Sequence, residues 1–181
     1  LNFLPHLNYS YPLHVDEWVH FQYANHLSTG ASLYFGEEYG VNLEAGFHYI
    51  LATLNAIGIP YLFMFNFFAS LVTIMICLGV FILTRRVFNE PSAVVAVLFI
   101  AVLKSSVMIL GPVFLVPMAL GLFFIAIGLY LIYVKSHAWI LILAAILIIH
   151  PPSALAFILL INIEFVILAI KKEQNYIKNI I

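Results

Sequence analysis

An apolar stretch without a charged residue runs from residue 60 to residue 84 and ends at Arg85 and Arg86. A helix of these 25 residues would be about 37 Å long, which exceeds the roughly 30 Å hydrocarbon core of a bilayer. Hydrophobic residues make up 65% of the sequence and the mean hydropathy is +1.11, well above the usual composition of soluble domains. The sequence therefore predicts an all-α integral membrane protein, a polytopic bundle of transmembrane helices.

Further apolar runs follow this one, each bounded by charged or helix-breaking residues. Together they predict five spans, at residues 60–84, 91–110, 112–134, 138–149 and 152–170. The run 138–149 is problematic, because its twelve residues give a helix of only about 18 Å. We expect two helices here, meeting at a recessed turn at His150, rather than one kinked helix over 138–170.

The basic residues indicate how these spans are oriented. If the helices alternate, the basic residues at span ends share one side of the membrane, which is typical of the cytoplasmic side; they are Arg85, Arg86, Lys135, Lys171 and Lys172. Residues 1–59 then form an extracytoplasmic loop with surface helices, residues 60–172 the membrane domain and residues 173–181 a cytoplasmic polar segment. We expect an integral protein of a prokaryotic plasma membrane whose active site is extracytoplasmic.

Two adjacent acids lie between two histidines in the stretch LHVDEWVH, residues 13–20. On a helix, Asp16 and Glu17 point about 100° apart, and the i, i+4 relation brings His20 beside Asp16. Such a group could act as a general base, or could bind Mg²⁺ or Mn²⁺ through Asp16, Glu17 and His20. The simpler alternative is a helix N-terminus whose acids favour the helix dipole.

Other polar residues are candidates on weaker grounds. Glu44 and His48 repeat the acid-to-histidine spacing, which we interpret as an ordinary solvated helix face. Lys104 interrupts an apolar helix, where an ionisable residue indicates function, and it could contact a phosphate or extend to the headgroups. His150 would either reach the same cavity or hydrogen-bond a helix-end carbonyl.

The residues around the acidic pair resemble the GT-C superfamily of integral-membrane glycosyltransferases, of the protein O-mannosyltransferase and aminoarabinose-transferase type. The segment HVDEWVHFQYANHL is similar to the acidic motif of that family's first extracytoplasmic loop, and STGASLY to the short loop after it. The segment LEAGFHYILATL stands where many members have a surface helix with two prolines, which are absent here. The resemblance covers residues 11–110 and includes the family's second span, which ends in basic residues on the cytoplasmic side.

This resemblance implies transfer of a sugar, with inversion, from a polyprenyl-phosphate carrier to a protein, lipid or glycan acceptor. Asp16 would take the acceptor proton, and Glu17 would orient the site or bind a metal. The donor would be bound by Lys104, His150 and His20. The family's first span would lie upstream of Leu1, so we expect an N-terminal fragment that is inactive alone. The other expected partners are membrane lipids, and no nucleic acid is expected.

Two other classes of protein fit parts of the sequence. A transporter would use Lys104 and His150 in a substrate pathway between proline-broken helices, and its acidic loop would be dispensable. A non-catalytic membrane subunit would need its polar residues only for insertion.

Overall fold

The computed structural model describes residues 9, 11–30, 43–102 and 114–178, and its regular structure there is helical throughout. The all-α prediction is confirmed. The helices are α1 (Val15–Ser28), α2 (Ala45–Ala56), α3 (Tyr61–Val87), α4 (Glu90–Ala101), α5 (Pro117–Tyr133), α6 (Trp139–Ile149) and α7 (Pro151–Lys178).

Helix α3 is the one described helix that is both long and apolar enough to cross a membrane. It has 27 residues and a mean hydropathy of 2.5, and most of its surface is not covered by the rest of the chain. Helices α4, α5 and α6 and residues Pro151–Ile167 of α7 are also apolar but shorter. Membrane association through α3 is thus supported by length and composition, and the polytopic bundle stays a prediction.

The start of α4 shows why the chain turns after α3. Asn89 is extended, and its side-chain oxygen accepts a hydrogen bond from the Ser92 N–H at 2.9 Å. Pro91 fits the first turn because an N–H there would have no helical partner. The end of the predicted span 91–110 and the start of the span 112–134 lie outside the described residues, as does Lys104.

The predicted turn before the last helix lies at His150. Its backbone is extended, with φ −155° and ψ 90°, and separates α6 from α7. Pro151 follows at once and has no N–H to continue the α6 ladder. Helix α7 then runs on to Lys178, so it includes residues 173–178 of the predicted polar segment. No glycine or proline follows Pro152 in the sequence to stop the helix.

The helices pack in two groups that share α5. Helix α1 packs on α2, α3 packs on α4 and α5, and α7 packs on α5 and α6. The first hydrophobic core joins α1 and α2 to α3 and α5, with buried Phe47, Leu51, Met64 and Phe65 among its members. Helix α2 also contacts α6, and this contact brings α1 and α2 beside the turn at His150.

Candidate functional site

A cavity of about 300 Å³ lies where α1 and α2 meet α5 and the turn between α6 and α7. Its titratable lining residues are Asp16, His20, Glu44 and His150. Its apolar wall is formed by Val19, Val116, Pro117 and Met118. Three of the residues expected at the site, Asp16, His20 and His150, therefore line one cavity. Glu17 is not among the lining residues, and Lys104 lies outside the part of the chain that the structure describes.

Glu17 is fully buried behind the cavity. Its Oε2 accepts hydrogen bonds from the N–H groups of Leu13, at 2.8 Å, and His14, at 3.2 Å. Its Oε1 accepts one from the Leu115 N–H at 2.7 Å. Through these hydrogen bonds, the carboxylate connects the start of α1 to the segment that precedes α5. Of the two roles expected for Glu17, this geometry favours orienting the site, because both oxygens are already engaged by backbone donors.

Asp16 differs from its neighbour, because its side chain is 45% exposed and lines the cavity. The Asp16 N–H donates to Nδ1 of His14 at 3.1 Å. That ring nitrogen must therefore be an unprotonated acceptor, so its 3.7 Å approach to the Asp16 carboxylate is not an ion pair. The Asp16 carboxylate is available on the cavity side.

His20 of α1 and His48 of α2 form a buried pair. Nδ1 of His20 lies 2.9 Å from Nε2 of His48. Burial, with contributions from His48 and His150, lowers the pKa of His20 to about 3, and burial lowers the pKa of His48 to about 4. Both imidazoles are therefore neutral near pH 7, and one ring donates while the other accepts.

Glu44 lies at the N-terminus of α2, between the two histidines that line the cavity. Its Oε2 is 3.9 Å from Nδ1 of His20, and its Oε1 is 3.4 Å from Nε2 of His150. Burial, and after it the negative charge of Asp16, raises the pKa of Glu44. The interpretation of Glu44 and His48 as a solvated face is wrong, since His48 is only 1% exposed and Glu44 lines the cavity.

The hydrogen bonds of His150 determine which of its nitrogens carries the proton. Its Nδ1 accepts from the Ser153 N–H at 3.2 Å and lies 2.6 Å from the Ser153 hydroxyl. Because the backbone N–H can only donate, the proton of the neutral ring is on Nε2. That Nε2 lies 3.4 Å from Oε1 of Glu44, and His150 is among the residues that line the cavity, so its N–H group is a potential hydrogen-bond donor there.

Gly46 allows α2 to approach α6 closely enough to build this site. A Cβ atom at Gly46 would lie 2.8 Å from the backbone oxygen of Ile148. The backbone of α6 cannot yield as a flexible side chain could. We expect Gly46→Ala to separate the two helices, move Glu44 away from His150 and cost about 1–3 kcal/mol of stability. Thermal unfolding in detergent measures this loss.

Thr53→Ala is the matched control, because Thr53 is an exposed position on the same helix and its substitution should change stability by no more than about 0.5 kcal/mol. Equal unfolding temperatures for Gly46→Ala and the wild-type protein would show that the close approach of α2 to α6 does not contribute to stability.

The histidine pair predicts that the metal-free protein loses stability in mild acid. The pKa values of His20 and His48 are lower in the folded state than the usual 6.5. The unfolded chain therefore takes up protons first as the pH falls below 6.5. The stabilisation that depends on these two neutral imidazoles is fully present above pH 6.5 and is lost as the pH falls towards 4. For His48 alone, the free energy of unfolding falls by about 3 kcal/mol.

Three other titratable groups line the cavity together with His20, namely Asp16, Glu44 and His150, and the ring of Tyr23 lies against His48. Glu44 has the opposite effect, because its raised pKa favours proton uptake by the folded state. Since one carboxyl group acts against two imidazoles, we still expect the protein to lose stability as the pH falls. Chemical unfolding with a chelator present, repeated from pH 7 to pH 5, tests the prediction. A constant free energy of unfolding over that interval would contradict it.

Glu44 and His48 are the site residues that the sequence interpretation missed. The available signal was the repeated spacing, since Asp16 precedes His20 by four residues and Glu44 precedes His48 by four. This spacing places an acid and a histidine on the same face of each helix, and these two faces meet where His20 contacts Glu44 and His48.

No family model matches the chain, and neither the curated proteins nor the solved structures that were compared with it include a match. The GT-C resemblance of residues 11–110 thus remains an expectation drawn from the sequence. The function is accordingly argued from the cavity and its chemistry.

Proposed function

We propose that the protein is a glycosyltransferase that moves a sugar, with inversion, from a polyprenyl-phosphate-linked donor to an acceptor hydroxyl at the extracytoplasmic membrane face. The observation that carries this proposal is the cavity itself. An accessible carboxylate, on Asp16, and a donor imidazole, on His150, line the same space.

Asp16 has the chemistry of the general base in this reaction. Its carboxylate accepts the proton of the acceptor hydroxyl as that oxygen attacks the anomeric carbon. A bond forms between the acceptor oxygen and the anomeric carbon, and the bond from that carbon to the phosphate oxygen breaks. The phosphate leaves with the electron pair, and attack from the opposite side inverts the anomeric centre.

His150 has the chemistry of a phosphate ligand. Its Nε2–H can donate to the departing phosphate oxygen as negative charge grows there, which stabilises the transition state more than the ground state. His20 adds a second imidazole to the same wall. Lys104 is the cation that we expect at the phosphate on the grounds of sequence.

The packing of α1 on α3 supports an extracytoplasmic location for the cavity. The Phe21 ring of α1 contacts the Tyr61 ring at the start of α3, with 5.2 Å between centroids. Arg85 and Arg86 are at the other end of α3. A basic helix end is typical of the cytoplasmic side, which favours the opposite side for α1 and α2, where an acceptor outside the cell could reach them.

A transfer assay with the full-length protein in proteoliposomes tests the proposal. Polyprenyl-phosphate sugars are supplied as donors with peptide, lipid and glycan acceptors, and the anomeric configuration of the product is determined by NMR. We expect transfer with inversion for at least one donor and acceptor. Retention of configuration, or uptake of a solute into the vesicles with no transfer, would contradict the proposal, and uptake would favour the transporter.

A further inference from the structure

The ring nitrogens of His20 and His48 converge on a single buried point. They are 2.9 Å apart, and the two histidine residues are 8% and 1% exposed. Ligand atoms around a tetrahedral zinc ion lie about 3.3 Å apart, given bonds of about 2.0–2.1 Å. A small movement of the two rings is therefore enough for both nitrogens to bind one ion.

Glu44 supplies a third ligand atom to the same point. Its Oε2 is 3.9 Å from Nδ1 of His20, and the ligand atoms of the three residues all lie within 4.8 Å of one another. Its other oxygen, Oε1, lies 3.4 Å from Nε2 of His150, which is longer than a usual hydrogen bond.

The donor atoms indicate which metal the cluster would take. Mg²⁺ and Ca²⁺ prefer oxygen ligands, whereas two imidazoles and one carboxylate suit Zn²⁺ and neighbouring transition metals. This ligand set differs from the expected Asp16, Glu17 and His20, because Glu17 is engaged by backbone N–H groups.

The cluster also borders the cavity, since His20 and Glu44 belong to both. Three protein ligands with one open position are the arrangement of catalytic rather than structural zinc sites. We propose that His20, Glu44 and His48 bind one zinc-class divalent cation whose fourth coordination position opens into the cavity and accepts a phosphate oxygen of the donor. Only this last assignment rests on the proposed glycosyltransferase function.

A binding experiment without any substrate tests the metal site. The full-length protein is stripped with a chelator in detergent and titrated with Zn²⁺ and, separately, with Mg²⁺ by calorimetry. We expect one equivalent of Zn²⁺ to bind and Mg²⁺ to bind at least a hundredfold more weakly. His48→Gln should weaken Zn²⁺ binding at least tenfold, while His137→Gln, which changes an exposed histidine outside the cluster, should leave it unchanged.

Thermal unfolding separates loss of the site from loss of the fold. Zn²⁺ should raise the unfolding temperature of the wild-type protein and of His137→Gln but not that of His48→Gln, whose metal-free form should still unfold cooperatively. Zn²⁺ binding that is unaffected by His48→Gln, or equal affinity for Mg²⁺, would overturn the inference. Zinc binding without sugar transfer would refute only the proposed function, and full transfer by protein that binds no zinc would refute only the metal site.

Discussion

The variant Asp16→Asn is expected to lower the rate of sugar transfer by the full-length protein about 10²–10⁴-fold. An amide has nearly the shape of a carboxylate but cannot accept the acceptor proton. The side chain is 45% exposed, and the backbone N–H that donates to His14 is unchanged, so the fold should persist. The measurement is kcat with a polyprenyl-phosphate donor, together with the unfolding temperature.

The matched control for this variant is Asn25→Asp, an exposed position on the same helix where the opposite exchange should leave kcat unchanged. Transfer by Asp16→Asn at the wild-type rate would refute the assignment of Asp16 as the base. If kcat falls only because the protein unfolds at a lower temperature, the assignment is refuted as well.

The second large effect is on stability, for Glu17→Gln. Glutamine keeps the size of the side chain but replaces one acceptor oxygen with an NH₂ group that faces backbone N–H donors. At least one charge-assisted hydrogen bond is lost, and a buried N–H is left opposite another donor, at a combined cost of about 3–5 kcal/mol. We expect a lower unfolding temperature and much less folded protein in membranes, measured by thermal unfolding and by the yield of monodisperse protein.

Glu90→Gln makes the same exchange at an exposed position. Glu90 also lies in the first turn of a helix, but its side chain is 63% exposed and its partner, Arg85, is 60% exposed at 3.4 Å. Such a surface pair contributes less than about 1 kcal/mol. Equal losses from Glu17→Gln and Glu90→Gln would show that the buried hydrogen bonds of Glu17 do not hold the site together.

Local sequence patterns predicted the all-α class of this fold, and they indicated some of the residues that line the cavity. The uncharged run that begins at residue 60 corresponds to α3, and the His-Pro-Pro sequence corresponds to the break between α6 and α7. Both features depend on composition within a few residues. The spacing of Asp16 and His20 likewise indicated two neighbouring side chains, and both line the cavity.

The remaining features of the site depend on contacts between distant segments. Whether His48 faces solvent or the protein is decided by the packing of α2 on α1 and α6, which requires the missing side chain of Gly46. The different environments of Asp16 and Glu17 depend on the Leu115 N–H, which no pattern near residue 17 reveals. Periodicity specifies which residues share a helix face, but it does not specify what that face meets.

The hydrogen bond from Leu115 to Glu17 joins residues that are 98 positions apart. Closing a loop of that length costs about 4 kcal/mol of chain entropy before any contact compensates for it. During synthesis the ribosome delivers the acidic segment well before α5 exists. The cavity can therefore be completed only after α5 and the turn at His150 have been made, and a chain arrested before Leu115 would display Asp16 and Glu17 without the wall that Val116, Pro117 and Met118 form.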